Sequence, residues 1–160
     1  MDTLLRRDSK AKSLSVNALI SSILTRYSEW GRNTERFGFL TLTRETFNGI
    51  LETADDGKLV EAARELGAKV PKEIILFWFK RLNLDNFLAY IFMTCKYGGV
   101  AEYEYESEGK NHTITVHHEY GKKWSLFMKH FIGEGLRTVL GIDASFELGE
   151  NSVVGRFSEK

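Results

Sequence analysis

The sequence has few of the residues that cross-link, kink or anchor a chain. Among 160 residues there is one cysteine, Cys95, and one proline, Pro71. A lone cysteine excludes an intramolecular disulfide and fits a reducing compartment. Its apolar surroundings, LAYIFMTCKYGG, favour a buried, inert thiol over a reactive one.

Long hydrophobic runs are also missing. The longest, IILFWF at 74–79, falls far short of the about 20 residues that a membrane helix needs. The start of the chain lacks the positively charged segment followed by an apolar segment that is typical of a secretory signal. We therefore expect a cytoplasmic protein without a membrane partner.

The chain as a whole carries no excess of charge of one sign, but its first 36 residues carry an excess of positive charge. Lys plus Arg and Asp plus Glu number 22 each, so net charge gives no nucleic-acid or membrane signature. Residues 1–36 hold seven basic and four acidic residues, a net charge of +3. Four of the basic ones, Arg6, Arg7, Lys10 and Lys12, fall within the first twelve positions. We interpret 1–36 as one element and 37–160 as a second domain.

Helix signals dominate the first hundred residues. Ser13 or Ser15 is expected to cap a helix, because a hydroxyl accepts hydrogen bonds from unpaired backbone N–H groups. Apolar residues then recur at helical spacing and form a stripe that faces a partner. The stripe comprises Val16, Leu19, Ile20, Ile23, Tyr27 and Trp30. A loop is predicted around ERFGF.

Four further helices are predicted before residue 100. Thr43 caps one that runs to about Ala54, with Phe47, Ile50 and Leu51 facing inward. The next is short, stopped by Gly67 and followed by Pro71. KEIILFWFKRL and LDNFLAYIFMTCKYGG are apolar nearly all round and are expected to be central, with Gly98–Gly99 closing the second.

After Gly99 the apolar period changes from helical to two. VAEYEYES and HTITVHHE alternate on either side of the turn SEGKN, which predicts a hairpin. Glu102, Glu104 and Glu106 share one face, as charges do on an exposed edge strand; an acidic face that binds a ligand or partner is the alternative. A helix over KKWSLFMKHFIGEGLRTVLG and a second hairpin, IDASFEL with SVVGRF, complete the chain.

These elements predict an α+β fold. A helical N-terminal half precedes a β-β-α-β-β unit, whose four-stranded antiparallel sheet packs on helices with one face. Twelve aromatic side chains of this region either line an apolar ligand pocket or form an ordinary core. They are Phe77, Trp78, Phe79, Phe87, Tyr90, Phe92, Tyr97, Tyr103, Tyr105, Trp124, Phe127 and Phe131.

The start of the chain, LLRRDSKAKSLSVNALISSILTRYSEW, resembles the two helices of a ribbon-helix-helix module of the Arc/MetJ/CopG type. In that family a basic first helix and a short turn lead to a second helix of the form S-x-S-x-L-I-x-x-I-L. The matching positions here are Ser13, Leu14, Ser15, Asn17, Leu19, Ile20, Ile23 and Leu24. The arrangement of the whole chain is also similar to that of uncharacterised archaeal proteins, a likeness that carries no activity.

The resemblance implies a homodimer that binds double-stranded DNA. The DNA-contacting residues would be Arg6, Arg7, Lys10, Lys12, Ser13, Ser15 and Asn17. The dimer interface would be formed by Leu19, Ile20, Ile23, Tyr27 and Trp30. The family reads bases with a strand before the first helix, and this sequence begins inside that helix. Either the biological start lies upstream, or the module keeps only its dimerising helices; a merely solvated basic face is the alternative to phosphate contacts.

Motifs for catalysis are missing. There is no phosphate-binding glycine loop, no nucleophile elbow and no cysteine pair for zinc. Four histidines lie within nineteen positions: His112, His117, His118 and His130. Strand alternation puts His112 and His118 on one face and His117 on the other. A site that joins a strand histidine to His130 and to Glu119 or Glu134 is one interpretation, and surface or packed histidines are the other.

These observations favour a binding protein without enzymatic activity, cofactor or metal. The first hypothesis is a dimeric, DNA-associated regulator of transcription with a C-terminal sensor or interaction domain. The second is a module that binds a small apolar ligand or a protein and uses its first helices only to dimerise. The third is an enzyme or metalloprotein that uses His117 or His118 with His130.

Overall fold

The chain forms two compact units that meet between Thr41 and Leu42. A computed structural model describes residues 2–159 apart from the side chain of Glu35. The boundary expected from the charge pattern, at residue 36, falls inside the first unit. None of the helices in the described range is both long and apolar enough to cross a membrane.

The N-terminal unit is helical. It contains α1 (Asp2–Ala11), α2 (Val16–Arg26), a π-helical turn (Tyr27–Gly31) and α3 (Arg32–Phe37). Ser15 caps α2, because its hydroxyl accepts a hydrogen bond of 3.1 Å from the Ala18 N–H. The chain stays helical through Phe37, so the loop predicted around ERFGF begins later, at Gly38, which has a φ of 65°.

The C-terminal unit is α+β, as predicted. Three helices come first, α4 (Arg44–Thr53), α5 (Asp56–Phe79) and α6 (Leu84–Gly98). The hairpin β1 (Glu102–Glu108) and β2 (Asn111–His117) follows. Helix α7 (Gly121–Leu140) then leads to β3 (Ser145–Leu148) and β4 (Ser152–Ser158).

The four strands form one antiparallel sheet in the order β1-β2-β4-β3. One face is buried against helices: α6 packs on β1, and α7 packs on β3 and β4. Ile114 and Val116 of β2 and Val153 of β4 are buried on that face. The other face is open, and β1 exposes Glu102, Glu104 and Glu106 along the sheet edge. Charges there discourage pairing with another strand.

The prediction of a short helix ending at Gly67 was wrong. Helix α5 runs through Gly67 and Pro71 without a break and also includes the segment predicted as the next helix. A Cβ on Gly67 would lie 2.5 Å from the carbonyl oxygen of Phe131 on α7, so glycine is needed where the two backbones touch. The apolar contact with α7 outweighs the stop signals, since tertiary packing commonly overrides local propensity.

Helix α4 starts at the predicted residue, but its buried face differs from the predicted one. The Thr43 hydroxyl accepts a hydrogen bond of 3.2 Å from the Thr46 N–H and so caps the helix. Leu51 is buried, whereas Ile50, expected inside, is 58% exposed. Lys123 of α7 donates hydrogen bonds to two carbonyl oxygens at the far end, those of Glu52 (2.9 Å) and Ala54 (2.7 Å). A cation at a helix C-terminus also complements the helix dipole.

Candidate functional site

A pocket of about 690 Å³ opens where α6 meets the sheet, and we call it the α6–sheet pocket. Its volume lies within the range of small-molecule sites. Helix α6, the start of β1, the end of β2 with the loop after it, and the first residue of α4 form its walls. The lining residues are Arg44, Phe92, Cys95, Lys96, Gly99, Ala101, Glu102, Tyr103, His117, His118, Glu119 and Tyr120.

Hydrogen bonds fix the turn between α6 and β1 that shapes the pocket. Gly99 ends α6 with a φ of 68°, a left-handed conformation that favours glycine. The Tyr120 hydroxyl donates to the Gly99 carbonyl oxygen at 2.9 Å, and the Trp124 indole N–H donates to the Val100 carbonyl oxygen at 3.3 Å. Phe47 packs edge-on against both aromatic rings. The rear of the pocket is therefore held by α4, α6 and α7 together.

His118 is a structural histidine with both ring nitrogens occupied. Its Nδ1 accepts a hydrogen bond of 3.2 Å from the Tyr120 N–H, which assigns the proton to Nε2. Nε2 then donates to the Ser125 Oγ at 2.9 Å, and Ser125 donates to the Glu150 carbonyl oxygen at 3.1 Å. Burial, with a smaller contribution from His117, lowers the pKa of His118. The ring is therefore neutral at physiological pH.

Cys95 and Tyr103 give the pocket an apolar floor. Cys95 is buried, and burial raises the pKa of its thiol to about 12, so the protonated form prevails at neutral pH. Desolvation on burial likewise raises the pKa of the Tyr103 phenol. The Tyr103 hydroxyl oxygen is buried and has no hydrogen-bond partner within residues 2–159. These groups suit binding, since neither a thiol nor a phenol in this state is an activated nucleophile.

Charged side chains surround the mouth of the pocket. Arg44 and Glu119 form an exposed ion pair. The Lys96 ammonium lies 5.0 Å from the centroid of the Phe92 ring and 4.9 Å from that of Tyr97. Such cation–π contacts hold a lysine in place without neutralising its charge.

His130 lies in a different pocket from His117 and His118. It lines a groove of about 610 Å³ between α5, α7 and the start of β3. Burial and the nearby charges of Arg64 and Lys129 lower its pKa. Glu134, in the same groove, is held by Arg137, whose hydrogen bonds lower the pKa of that carboxyl. The structure thus separates the strand histidines from His130, which the third hypothesis had joined.

His112 is the other buried histidine of the sheet. Its ring stacks between Tyr105 and Phe157, with centroids 5.9 Å and 5.2 Å away. Nδ1 lies 2.7 Å from the Tyr105 hydroxyl, and Nε2 lies 3.0 Å from Glu159 Oε1. The predicted common face of His112 and His118, with His117 opposite, is confirmed by their burial. In the described part of the chain no three His, Cys, Asp or Glu side chains are grouped to hold a metal ion.

The residues predicted to contact DNA are on the surface of the N-terminal unit. Arg6 pairs with Asp2 at 2.9 Å and Arg7 with Asp8 at 3.3 Å. The others are exposed: Lys10, Lys12, Ser13, Ser15 and Asn17. Ser13 adopts a left-handed backbone, with a φ of 54°, in the turn between α1 and α2.

The predicted dimer residues divide into two groups. Leu19 and Trp30 are buried within the chain, and Trp30 packs edge-on against Phe39 with centroids 4.9 Å apart. Ile20, Ile23 and Tyr27 are exposed. Leu24, which was not included among the interface residues, joins them on the same face with 61% exposure. Helical spacing alone could not separate the stripe that packs inside the unit from the one that faces outward.

The twelve aromatic residues divide between core, pocket and surface, and three of them are buried. Phe87, Tyr90 and Trp124 are buried in the C-terminal unit, whereas Phe92 and Tyr103 line the α6–sheet pocket. Sequence reasoning missed Arg44 and Lys96, which come from separate helices and carry no motif. No protein-family model matches the chain, and a search of curated proteins returns no match.

Proposed function

We propose that this chain is a homodimeric, cytoplasmic, DNA-associated regulatory protein without enzymatic activity. Helix α2 would join two copies, α1 would contact DNA phosphates, and the C-terminal unit would bind a small ligand. The observation that carries the proposal is an exposed apolar stripe on α2 beside a basic α1.

The stripe follows helical spacing and is open to solvent. Its members are Ile20 (37% exposed), Ile23 (49%) and Leu24 (61%) of α2 and Tyr27 (62%), the first residue of the π-helical turn that continues α2, at positions i, i+3, i+4 and i+7. We call these four residues the α2 stripe. Because exposed apolar faces of helices mark interaction surfaces, a second copy of α2 is the occupant that the ribbon-helix-helix resemblance suggests.

Phosphate contacts fit the surface next to the turn between α1 and α2. Lys10 and Lys12 are exposed and make no ion pair within the described residues, so both are available to a phosphate. The exposed pairs Arg6–Asp2 and Arg7–Asp8 are worth little in water and exchange readily for phosphates. Contacts of this kind position a protein on DNA without reading sequence.

The test measures the affinity of the full chain for a fluorescent DNA duplex as salt is raised. We expect the logarithm of the binding constant to fall linearly with the logarithm of the salt concentration. Replacing Lys10 and Lys12 by Gln should reduce that slope by about 2, one for each lost phosphate contact. The matched control replaces Lys69 and Lys72, two exposed lysines of α5, and should leave the slope unchanged. Equal slopes in the two variants would contradict the assignment to α1.

A second function is favoured by the α6–sheet pocket. The chain would then be a ligand-binding module that dimerises through α2 and ignores DNA. A dimer that binds ligand but shows no salt-dependent DNA affinity would support this alternative over the first.

A further inference from the structure

The α6–sheet pocket combines an apolar floor with one buried polar atom. The side chains of Phe92 and Cys95, the Ala101 methyl group and the Tyr103 ring supply apolar surface. The Tyr103 hydroxyl oxygen is buried and has no hydrogen-bond partner within residues 2–159. An unpaired buried hydroxyl is unfavourable, so a ligand that offers it an acceptor gains affinity. Because the phenol stays protonated, Tyr103 can act as the donor.

Lys96 places a positive charge beside the same aromatic surface. Its ammonium lies 5.0 Å from the Phe92 ring centroid, and the Tyr103 ring centroid lies 6.1 Å from that of Phe92 on strand β1. The Lys96 ammonium and the Tyr103 ring therefore both contact the ring of Phe92. Lys96 forms no ion pair with any residue that the structure describes, so its charge is available to an anion.

Neither of the two carboxylates that line the pocket is paired with Lys96 in the part of the chain that the structure describes. Glu119 is already paired with Arg44. Glu102 also lines the pocket, but it is exposed and forms no ion pair with Lys96 within the described residues. Lys96 is therefore the charged group that lies directly on the aromatic surface of the pocket.

We propose that the α6–sheet pocket binds a small carboxylic acid with an apolar tail. The Tyr103 hydroxyl donates a hydrogen bond to one carboxylate oxygen, and the Lys96 ammonium pairs with the carboxylate. The tail lies against Phe92, Cys95 and Ala101. This assignment deepens the ligand-sensing part of the proposed function, on which it rests for its regulatory meaning, while the binding itself is measured without DNA.

The experiment is titration calorimetry of the full chain with three probes of equal chain length: decanoate, decylamine and decanol. We expect decanoate to bind, and to bind at least tenfold more tightly than the amine or the alcohol. Failure of decanoate to bind, or equal binding of the amine or alcohol, would overturn the proposal. A failure of DNA binding would leave this result untouched, so the two proposals are tested separately.

Two variants locate the carboxylate. Tyr103→Phe keeps the ring and removes the donor, and Lys96→Met keeps the apolar stem and removes the charge. Each should weaken decanoate binding about tenfold or more, as expected for a charge-assisted hydrogen bond. Lys72→Met, an exposed lysine of α5, is the control and should bind like the wild type. Unchanged affinity in both pocket variants would overturn the assignment.

A third variant separates the pocket from the other exposed apolar surface. Ile23→Glu alters the α2 stripe and should leave the affinity for decanoate unchanged. Loss of decanoate binding in this variant, with Tyr103→Phe and Lys96→Met unaffected, would assign the ligand to α2 and contradict the pocket.

Discussion

The Nε2 atom of His118 lies 2.9 Å from the Oγ atom of Ser125, and both side chains are buried. The loop that begins at His118, directly after β2, is thereby joined to the first turns of α7. The Ser125 hydroxyl in turn donates a hydrogen bond of 3.1 Å to the Glu150 carbonyl oxygen, in the turn between β3 and β4. This chain of hydrogen bonds fixes one wall of the α6–sheet pocket without leaving a free ring nitrogen for catalysis.

Replacing Ser125 by Ala should destabilise the protein by about 1–3 kcal/mol, because the Nε2–H of His118 would lose its acceptor in a buried setting. Urea unfolding followed by circular dichroism measures the change. The control is Ser158→Ala at an exposed strand end, where the cost should stay within about 0.5 kcal/mol. Equal losses in the two variants would show that the His118 contact contributes nothing specific.

Stability should fall as the pH drops below neutral, because the pKa of His118 in the folded state lies below its usual 6.5. The unfolded chain then takes up a proton that the folded chain refuses, which favours unfolding. Unfolding measured between pH 7.5 and 5.5 should give a shallower pH slope in His118→Asn than in the wild type. Some slope should remain, since the pKa of His130 is lowered as well. Superimposable slopes would contradict a buried neutral His118.

Substituting Gly67 by Ala should destabilise the C-terminal unit by about 1–3 kcal/mol, the usual cost of overpacking a core. The new methyl group would lie 2.5 Å from the Phe131 carbonyl oxygen, and backbone cannot move aside as a flexible side chain can. Gly49→Ala in α4 is the matched control: its Cβ would meet nothing within 4 Å. That change should stabilise by about 0.5–1 kcal/mol through helix propensity alone. A stabilising Gly67→Ala would refute the close contact of α5 and α7.

Local signals in the sequence account for much of this fold. The alternation of apolar and polar residues predicted the two hairpins and the sheet faces on which His112, His117 and His118 lie. Successive side chains of a strand point to opposite faces, so this information is local. Capping residues such as Thr43, Ser15 and Gly99 act within one helical turn, so they too can be read locally.

The errors in prediction arose where contacts between residues far apart in the sequence determine the local structure. Gly67 and Pro71 have the form of a helix stop, yet their burial against α7 and α6 keeps α5 continuous; a Cβ on Gly135 of α7 would contact both Pro71 and Phe87. The pocket could not be predicted because Arg44, Lys96 and Tyr103 come from three elements whose spacing carries no pattern. Ser125 as the partner of His118 was hidden for the same reason.

The most direct test of the central claim is sedimentation equilibrium on the full chain, the Ile23→Glu variant and the Ile50→Glu control. Both isoleucines are exposed on helices, Ile23 at 49% and Ile50 at 58%, but only Ile23 belongs to the α2 stripe. We expect the wild type and Ile50→Glu to be dimers and Ile23→Glu to be a monomer, because a carboxylate in an apolar interface is costly. A wild type that remains monomeric, or an Ile23→Glu variant that dimerises as strongly as the wild type, would contradict the account.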